Sequence, residues 1–400
     1  MRPARTALLV LTGINLLNYL DRYVVSALVE SLKRSELALS DVQAGALMTG
    51  FVIVYMVTSP LFGTLGDRAS RTRLIAGGVA VWSVATALGG LARSFAQLFV
   101  ARAAVGVGEA AYGTIAPSLL ADHFPAAQRG RAFAVFFAAI PIGSALGYVL
   151  GGLVDRHFGW RTAFYVAGLP GLLLALLVLG LVDPPRGGQD TLPGGHALPP
   201  GGYRNLLRNR PYLLTVLGYA AYTFAIGGLA FWMPAFLQRV RGMSPEQATT
   251  QFGAIVVVTG FVGTFAGGWL GDYFLPRSRE SYLWVSGVTT LLATPFTLVA
   301  IRAADPTLAL VGIVLAEILL FASTGPINTA IVNLVAPGER ATAVALSILT
   351  IHLLGDVPSP PLIGALSDAS SLATAILIVP VAVLIAGSVW VGAAWRGGQS

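Results

Sequence analysis

Seven ionisable side chains fall inside stretches that are otherwise apolar: Asp21, Arg22, Arg102, Glu109, Glu317, His352 and Asp356. A charge at the centre of a membrane helix costs about 2.5–3.5 kcal/mol on insertion scales, so each needs a reason to be there. Arg102 and Glu109 are seven residues apart, two helical turns, so they return to nearly one face. Tyr112 lies three residues beyond Glu109 and shares it. Asp21 and Arg22, with Asn18 a turn earlier, bring the set to two acids and two arginines, formally neutral. Arginine does not titrate in a protein, so any proton here rides on Asp21 or Glu109. Desolvation favours a neutral carboxyl and a nearby guanidinium favours an ionised one, so a change in the Arg contact drives proton uptake and release. Glu109 is the first choice of carrier because it sits nearer the middle of its run. The set reads either as a site for protons and a charged head group or as a structural cluster of ion pairs that satisfy one another.

His352 and Asp356 are i and i+4, so they share a face. Pro358, Pro360 and Pro361 follow and must break or kink that helix. Interrupted membrane helices expose backbone groups to a cavity; an acid–imidazole pair at a kink is the plainer alternative. Glu317 precedes Gly325-Pro326, a second expected break, and its role stays open. Tyr219, Tyr222, Phe224, Phe231 and Trp232 crowd one segment and read as packing, lipid-facing surface, or lining for an apolar chain.

The elements that carry these residues must be membrane helices. Hydrophobic residues make up 55% of the 400 and charged residues 11%, with mean hydropathy +0.75. A soluble domain carries about 25% charged residues. The 47 glycines suit close helix packing. With no cysteine there is no disulfide, thiolate metal site or thiol nucleophile. The net charge of +7 fits a positive-inside bias better than nucleic-acid binding. No His-Glu-x-x-His, Gly-x-Ser-x-Gly or phosphate-binding Gly-x-x-x-x-Gly-Lys pattern occurs, and the only histidines are 123, 157, 196 and 352. An intramembrane enzyme, an ATP-driven pump and a metal site are therefore not expected.

Twelve spans of about 20 apolar residues can be drawn. In the first half they cover about 6–30, 42–65, 72–92, 95–121, 129–154 and 162–182. In the second they cover about 211–237, 246–271, 282–301, 307–335, 340–366 and 372–394. The Pro- and Gly-rich stretch 183–209 is a linker between a bundle over 1–182 and a bundle over 210–400. With both termini cytoplasmic, fifteen basic residues fall inside and eight outside, which agrees with an even span count. All but one of the 25 basic residues are Arg, as in a GC-rich bacterial genome.

The halves repeat. Ser40-Asp41-Val42-Gln43 opens one span that closes on Gly63-Thr64-Leu65-Gly66-Asp67; Ser244-Pro245-Glu246-Gln247 opens another that closes on Gly268-Trp269-Leu270-Gly271-Asp272. Pro125…Arg129 and Pro337…Arg340 enter the fifth and eleventh spans alike. Matching landmarks in two six-span halves mark a duplicated transporter.

On these residues the chain resembles the major facilitator superfamily along its whole length. Gly63-x-x-x-Asp67-Arg68-x-x-Arg71 is similar to its signature loop, with Ser70 where the family has Gly and Tyr273 where the second copy would have Arg. Gly143-x-x-x-Gly147-Tyr148-x-x-Gly151-Gly152 is similar to its antiporter motif, with Tyr148 in place of Pro; plain helix packing also accounts for those glycines. Asn18-Tyr19-Leu20-Asp21-Arg22, Gly106-Val107-Gly108-Glu109-Ala110-Ala111-Tyr112, Ala116-Pro117 and Gly159-Trp160-Arg161 resemble the spinster branch.

The resemblance implies an all-α fold of twelve transmembrane helices in two pseudo-symmetric six-helix bundles. It implies proton-linked, alternating-access transport of a lysophospholipid or sphingosine-type lipid; the alternative is a drug–proton antiporter. Asn18, Asp21, Arg22, Arg102, Glu109 and Tyr112 are then the proton and substrate residues, with His352, Asp356 and Glu317 as second-bundle candidates. Asp67, Arg68, Arg71 and Asp272 are the cytoplasmic gate, holding the bundles together when the protein opens outward. The remaining expectations are no cofactor beyond the coupling proton, membrane lipids but no nucleic acid as partners, a monomer, and a multi-pass plasma-membrane location. A non-transporting receptor would leave the duplicated halves and paired charges unexplained.

Overall fold

The structure, a computed structural model, describes residues 2–124, 126–185, 205–335 and 340–397. Regular structure among them is helical. The first six helices are α1 (Arg2–Arg34), α2 (Asp41–Arg68), α3 (Arg71–Gly89), α4 (Phe95–His123), α5 (Ala126–Phe158) and α6 (Trp160–Leu179). The next four are α7 (Arg210–Arg239), α8 (Pro245–Phe274), α9 (Ser281–Arg302) and α10 (Pro306–Asn333). The eleventh span runs as α11a (Arg340–Ile351), a π turn (His352–Asp356) and α11b (Ser359–Ala369), and the twelfth as α12a (Leu372–Ala375) and α12b (Ile378–Gly397). Ten segments among the described residues are long and apolar enough to cross a membrane. The two spans absent from those ten are α1 and α4, which carry Asp21, Arg22, Arg102 and Glu109.

The repeat is visible in the caps. Ser40 Oγ accepts from Gln43 N at 3.2 Å while Gln43 Oε1 accepts from Ser40 N at 3.1 Å. Ser244 and Gln247 make the same reciprocal pair at 3.2 Å each way. Each box satisfies two of the amides that a helix start leaves unpaired.

Prolines set the interruptions. Val357 N bonds His352 O at 3.1 Å, an i→i−5 step, just before Pro358, which has no amide to continue the ladder. The twelfth span, expected to be one helix, is split at 376–377; restarting at Ile378 puts Pro380 in a first turn, where its missing N–H has no bond to lose. The break expected at Gly325-Pro326 does not occur, and α10 runs through it. Pro326 cannot donate to the carbonyl of Ala322, and that oxygen instead faces Gly267 of α8, where a Cβ would stand only 1.8 Å away. The close glycine keeps the freed carbonyl packed, so the helix need not bend.

Two compact units emerge: Met1–Gly194 with Leu237–Ala254, and Gly195–Phe236 with Ile255–Ser400. In the first, α1 packs on α5 and α6, α2 on α4, and α3 on α4 and α6. The glycines of the Gly143–Gly152 stripe make the α1–α5 contact possible: a Cβ at Gly143 or Gly147 would stand 2.5 Å from the Leu16 or Leu20 carbonyl. In the second, α9 packs on α10 and α12b. The expected linker lies mostly outside the described residues, as do Pro125 and Pro337; Asp183, near its start, is bound by Arg71.

Candidate functional site

Four buried charges of the first unit form two crossed pairs. Successive residues on a helix point about 100° apart, so Asp21 and Arg22 reach different partners on α4. Arg22 Nη2 donates to Glu109 Oε2 at 2.7 Å, and Arg102 Nη1 donates to Asp21 Oδ1 at 3.2 Å. Thr86 Oγ1, from α3, donates to Asp21 Oδ2 at 2.8 Å. Asp21 is 0% exposed, and Arg102 and Glu109 are 1% each. The Arg22 guanidinium lies 5.0 Å from the ring centres of Tyr19 and Phe51 and 5.7 Å from that of Tyr55. Cation–π attraction supplements an ion pair that has left water. Three polar atoms of the cluster keep no hydrogen-bond partner: Glu109 Oε1, Arg22 Nε and Arg102 Nε.

Arg102 and Glu109 share a region as expected, but each bonds a residue of α1. Tyr112 does not bond the charges. Its hydroxyl donates to the Leu11 carbonyl at 2.7 Å and its ring meets Trp82 edge-on at 5.7 Å, so it serves the α1–α3–α4 packing. Asn18 is buried a turn before Arg22, and its neighbour Asn15 donates to the Phe136 carbonyl at 2.9 Å.

In the second unit His352 Nδ1 lies 2.9 and 3.0 Å from the Asp356 carboxylate oxygens, within the π turn. Gly355 and Gly227 let this turn meet α7 closely: a Cβ at Gly355 would stand 2.9 Å from Ala220 O, and one at Gly227 would stand 2.8 Å from Asp356 Cβ. Glu317 is buried, with Thr259 Oγ1 3.0 Å from its Oε2. Of the aromatic segment, Tyr222, Phe231 and Trp232 are buried. Tyr222 donates to Leu320 O at 2.8 Å and Trp232 to Pro360 O at 3.0 Å. Their first role is packing.

Among the expected gate residues, Arg71 is fixed inside the first unit. Its backbone N and its Nε each reach Asp183 at 2.8 Å, and Nη1 reaches Asp122. Arg68 is exposed, Asp272 accepts from Tyr282 OH at 2.7 Å, and the side chain of Asp67 lies outside the described residues.

One charged group went unread in the sequence except as topology. Arg239, at the end of α7, donates to Glu30 Oε1 and Asp41 Oδ2 at 2.6 Å each, and Lys33 also pairs with Asp41. These residues lie 198 and 209 positions from Arg239, so no local spacing announces them. The helix ends do offer one signal, since each partner falls at or beside a span terminus.

Twelve helical spans among the described residues, with ion pairs buried inside one unit, are the anatomy of a polytopic membrane transporter. Known proteins make this specific. The model of the Major Facilitator Superfamily matches residues 11–357. Protein spinster homolog 3 of Danio rerio is 37% identical over 391 residues, covering 92% of this chain and 78% of that protein. Protein spinster homolog 1 of Homo sapiens is 37% identical over 395 residues, covering 92% and 74%. A crystal structure of a bacterial homologue of the human lysosomal transporter spinster, inward-facing and unoccupied, superposes with TM-score 0.89 at 26% identity, covering 99% of this chain and 98% of that one. The chain belongs to the major facilitator superfamily, as a spinster-like member. It is a multi-pass membrane transporter with the twelve-helix major facilitator fold, and not an enzyme.

Proposed function

We propose that the chain is a proton-linked secondary transporter of an amphiphile, a lysophospholipid or sphingosine-type lipid, working by alternating access. The observation that carries this reading is the Arg22–Glu109 pair, in which the guanidinium side chain is 19% exposed and the carboxylate 0%. An anionic head group reaching Arg22 competes with Glu109 for it. A carboxylate so released has only poor solvation, with Oε1 already unpartnered, and it takes a proton. Substrate and proton are thereby linked through one guanidinium. The rings of Tyr19, Phe51 and Tyr55 beside Arg22 supply the apolar wall that an amphiphile needs.

In this reading the chain is organised as bundles over 1–182 and 210–400 joined by 183–209. Both ends lie in the cytoplasm of a bacterial cell, the protein sits in its plasma membrane as a monomer, and protons are the coupling ion with no bound cofactor. Asp67, Arg68, Arg71 and Asp272 keep their proposed part in cytoplasmic gating.

Uptake of lysolipid into proteoliposomes under an imposed pH gradient tests the proposal. Wild type should accumulate substrate, while Glu109→Gln should fold and bind but lose gradient-driven uptake. Full uptake by the variant removes Glu109 as carrier and leaves Asp21, or the His352–Asp356 pair, as the next candidate. A lipophilic cation exchanged for protons, with lysolipid ignored, would instead favour the drug–proton antiporter.

A further inference from the structure

Glu317 is the only charged residue within α10, and it is 8% exposed. Among the described residues no basic side chain pairs with it. The helices around it bring hydroxyls. From α7, Tyr222 OH donates to Leu320 O and lies 3.2 Å from Thr324 Oγ1. From α9, Thr290 Oγ1 meets Ser323 Oγ at 2.9 Å, and Ser286 Oγ donates to Tyr282 O. From α11, His352 and Asp356 bond each other. The charges of α8, α9 and α12b are Glu246 and Asp272, Arg302, and Arg396, all at helix ends.

The hydrogen-bond geometry leaves two arrangements of the protons. Thr259 Oγ1 lies 2.7 Å from the carbonyl of Ile255, one turn back on α8, and 3.0 Å from Glu317 Oε2. A hydroxyl has one proton, and a carbonyl oxygen can only accept. With that proton on Ile255 O, the contact to Glu317 contains a hydrogen only if the carboxyl supplies it. The other arrangement turns the hydroxyl toward a carboxylate and leaves a buried anion with a single neutral donor, which is far costlier than a neutral acid.

We propose that Glu317 is a second proton-binding site, in the second unit and separate from the Asp21–Glu109 cluster, with its proton in place and donated to Thr259. The site lies where α8 and α10 touch closely: a Cβ at Gly263 would stand 2.5 Å from Ile318 O, beside Glu317. Loss of the proton places a carboxylate in that contact, with only Thr259 to receive it, so proton occupancy is coupled to how α8 packs on α10.

Infrared difference spectroscopy of the full-length protein in lipid nanodiscs, taken across a pH titration, reads this directly. Wild type should show a protonated carboxylic C=O band at neutral pH that is lost in Glu317→Gln. Thr259→Val, which removes the acceptor at nearly constant shape, should move that band to higher wavenumber. A neutral-pH spectrum unchanged by Glu317→Gln overturns the proposal. If that variant does not fold, Thr259→Val decides alone, since an unshifted spectrum overturns the proposal equally. The measurement sees a proton on a carboxyl and not flux, so it stands or falls apart from the transport reading.

Discussion

The two units begin from matching halves and solve the problem of intramembrane polarity differently. In the first, four charges pair across helices, α1 to α4, at 2.7 and 3.2 Å. In the second, α7 carries no charge between Arg210 and Arg239 and presents Tyr219, Tyr222 and Trp232 instead. Among the described residues the one acid–base contact there, His352–Asp356, closes within a single turn of its own helix. A pair within a helix is indifferent to how that helix sits against its neighbours. A pair between helices is not, and it breaks or re-forms when α1 moves against α4. The first unit is therefore built to register movement in paired charges, and the second surrounds Glu317, its single buried acid among the described residues, with an aromatic and hydroxyl surface.

Removing one partner from an interhelical pair should give the largest effect. Arg102→Ala leaves Asp21 at full burial with Thr86 alone, and breaking a buried pair from one side costs about 3–5 kcal/mol. The stranded carboxyl is tolerated best when neutral, so the variant's Tm should recover as the pH is lowered. A Tm equal to wild type at neutral pH would show that the crossed pairs contribute nothing and would erase the contrast between units. Binding should split too, with an anionic amphiphile losing more than a neutral one. Asp356→Asn should do less. Its partner is four residues away, both side chains are partly exposed, and such pairs contribute about 1 kcal/mol or less. A loss as large as that of Arg102→Ala would mean the π turn depends on its acid–imidazole contact as strongly as α1 depends on α4.

The sequence showed which charges lie inside the spans more readily than whom they would meet. Spans, duplicated capping boxes and intramembrane charges follow from local sequence, and apart from the split in the twelfth span they lie close to where expected. Partnership across helices does not follow. Helical spacing puts Arg102 and Glu109 on one face but says nothing of α1's rotation, which decides that Glu109 receives Arg22 and Arg102 receives Asp21. Thr86 was invisible for the same reason, as an ordinary threonine 65 residues from its acid. Tyr112 shares a face with Glu109 as read, but face-sharing does not decide a hydroxyl's partner, and here that partner is the Leu11 carbonyl. Pro326 read as a break because a proline's effect was judged along its own helix, whereas Gly267 on α8 determines whether the freed carbonyl can be accommodated.

The smallest expected effect calibrates the others. Arg161 also joins a carboxylate far away in sequence, Glu36, but this pair is open to solvent at 34% and 56% side-chain exposure. Arg161 has support of its own, donating to Gly90 O at 2.7 Å and lying 4.3 Å over the Trp160 ring. The Glu36 carboxyl is held below the usual glutamate range, first by a hydrogen bond from its own backbone N–H and then by the one from Arg161. A folded-state value below the unfolded one contributes stability above the unfolded value, and that stability is lost as the pH falls through the folded value. Glu36→Gln should therefore sit slightly below wild type in Tm at neutral pH, and the two curves should merge below the ordinary glutamate value of about 4.3. Both deficits narrow as the pH falls, but from different sides: with Glu36→Gln the wild type loses the contribution of a stabilised carboxylate, whereas with Arg102→Ala the variant is relieved of a stranded buried one. Parallel Tm curves for Glu36→Gln and wild type would mean the carboxylate is not the origin of the difference. A drop matching Arg102→Ala would mean that burial, the property separating the crossed pairs from this one, is not what gives them their strength.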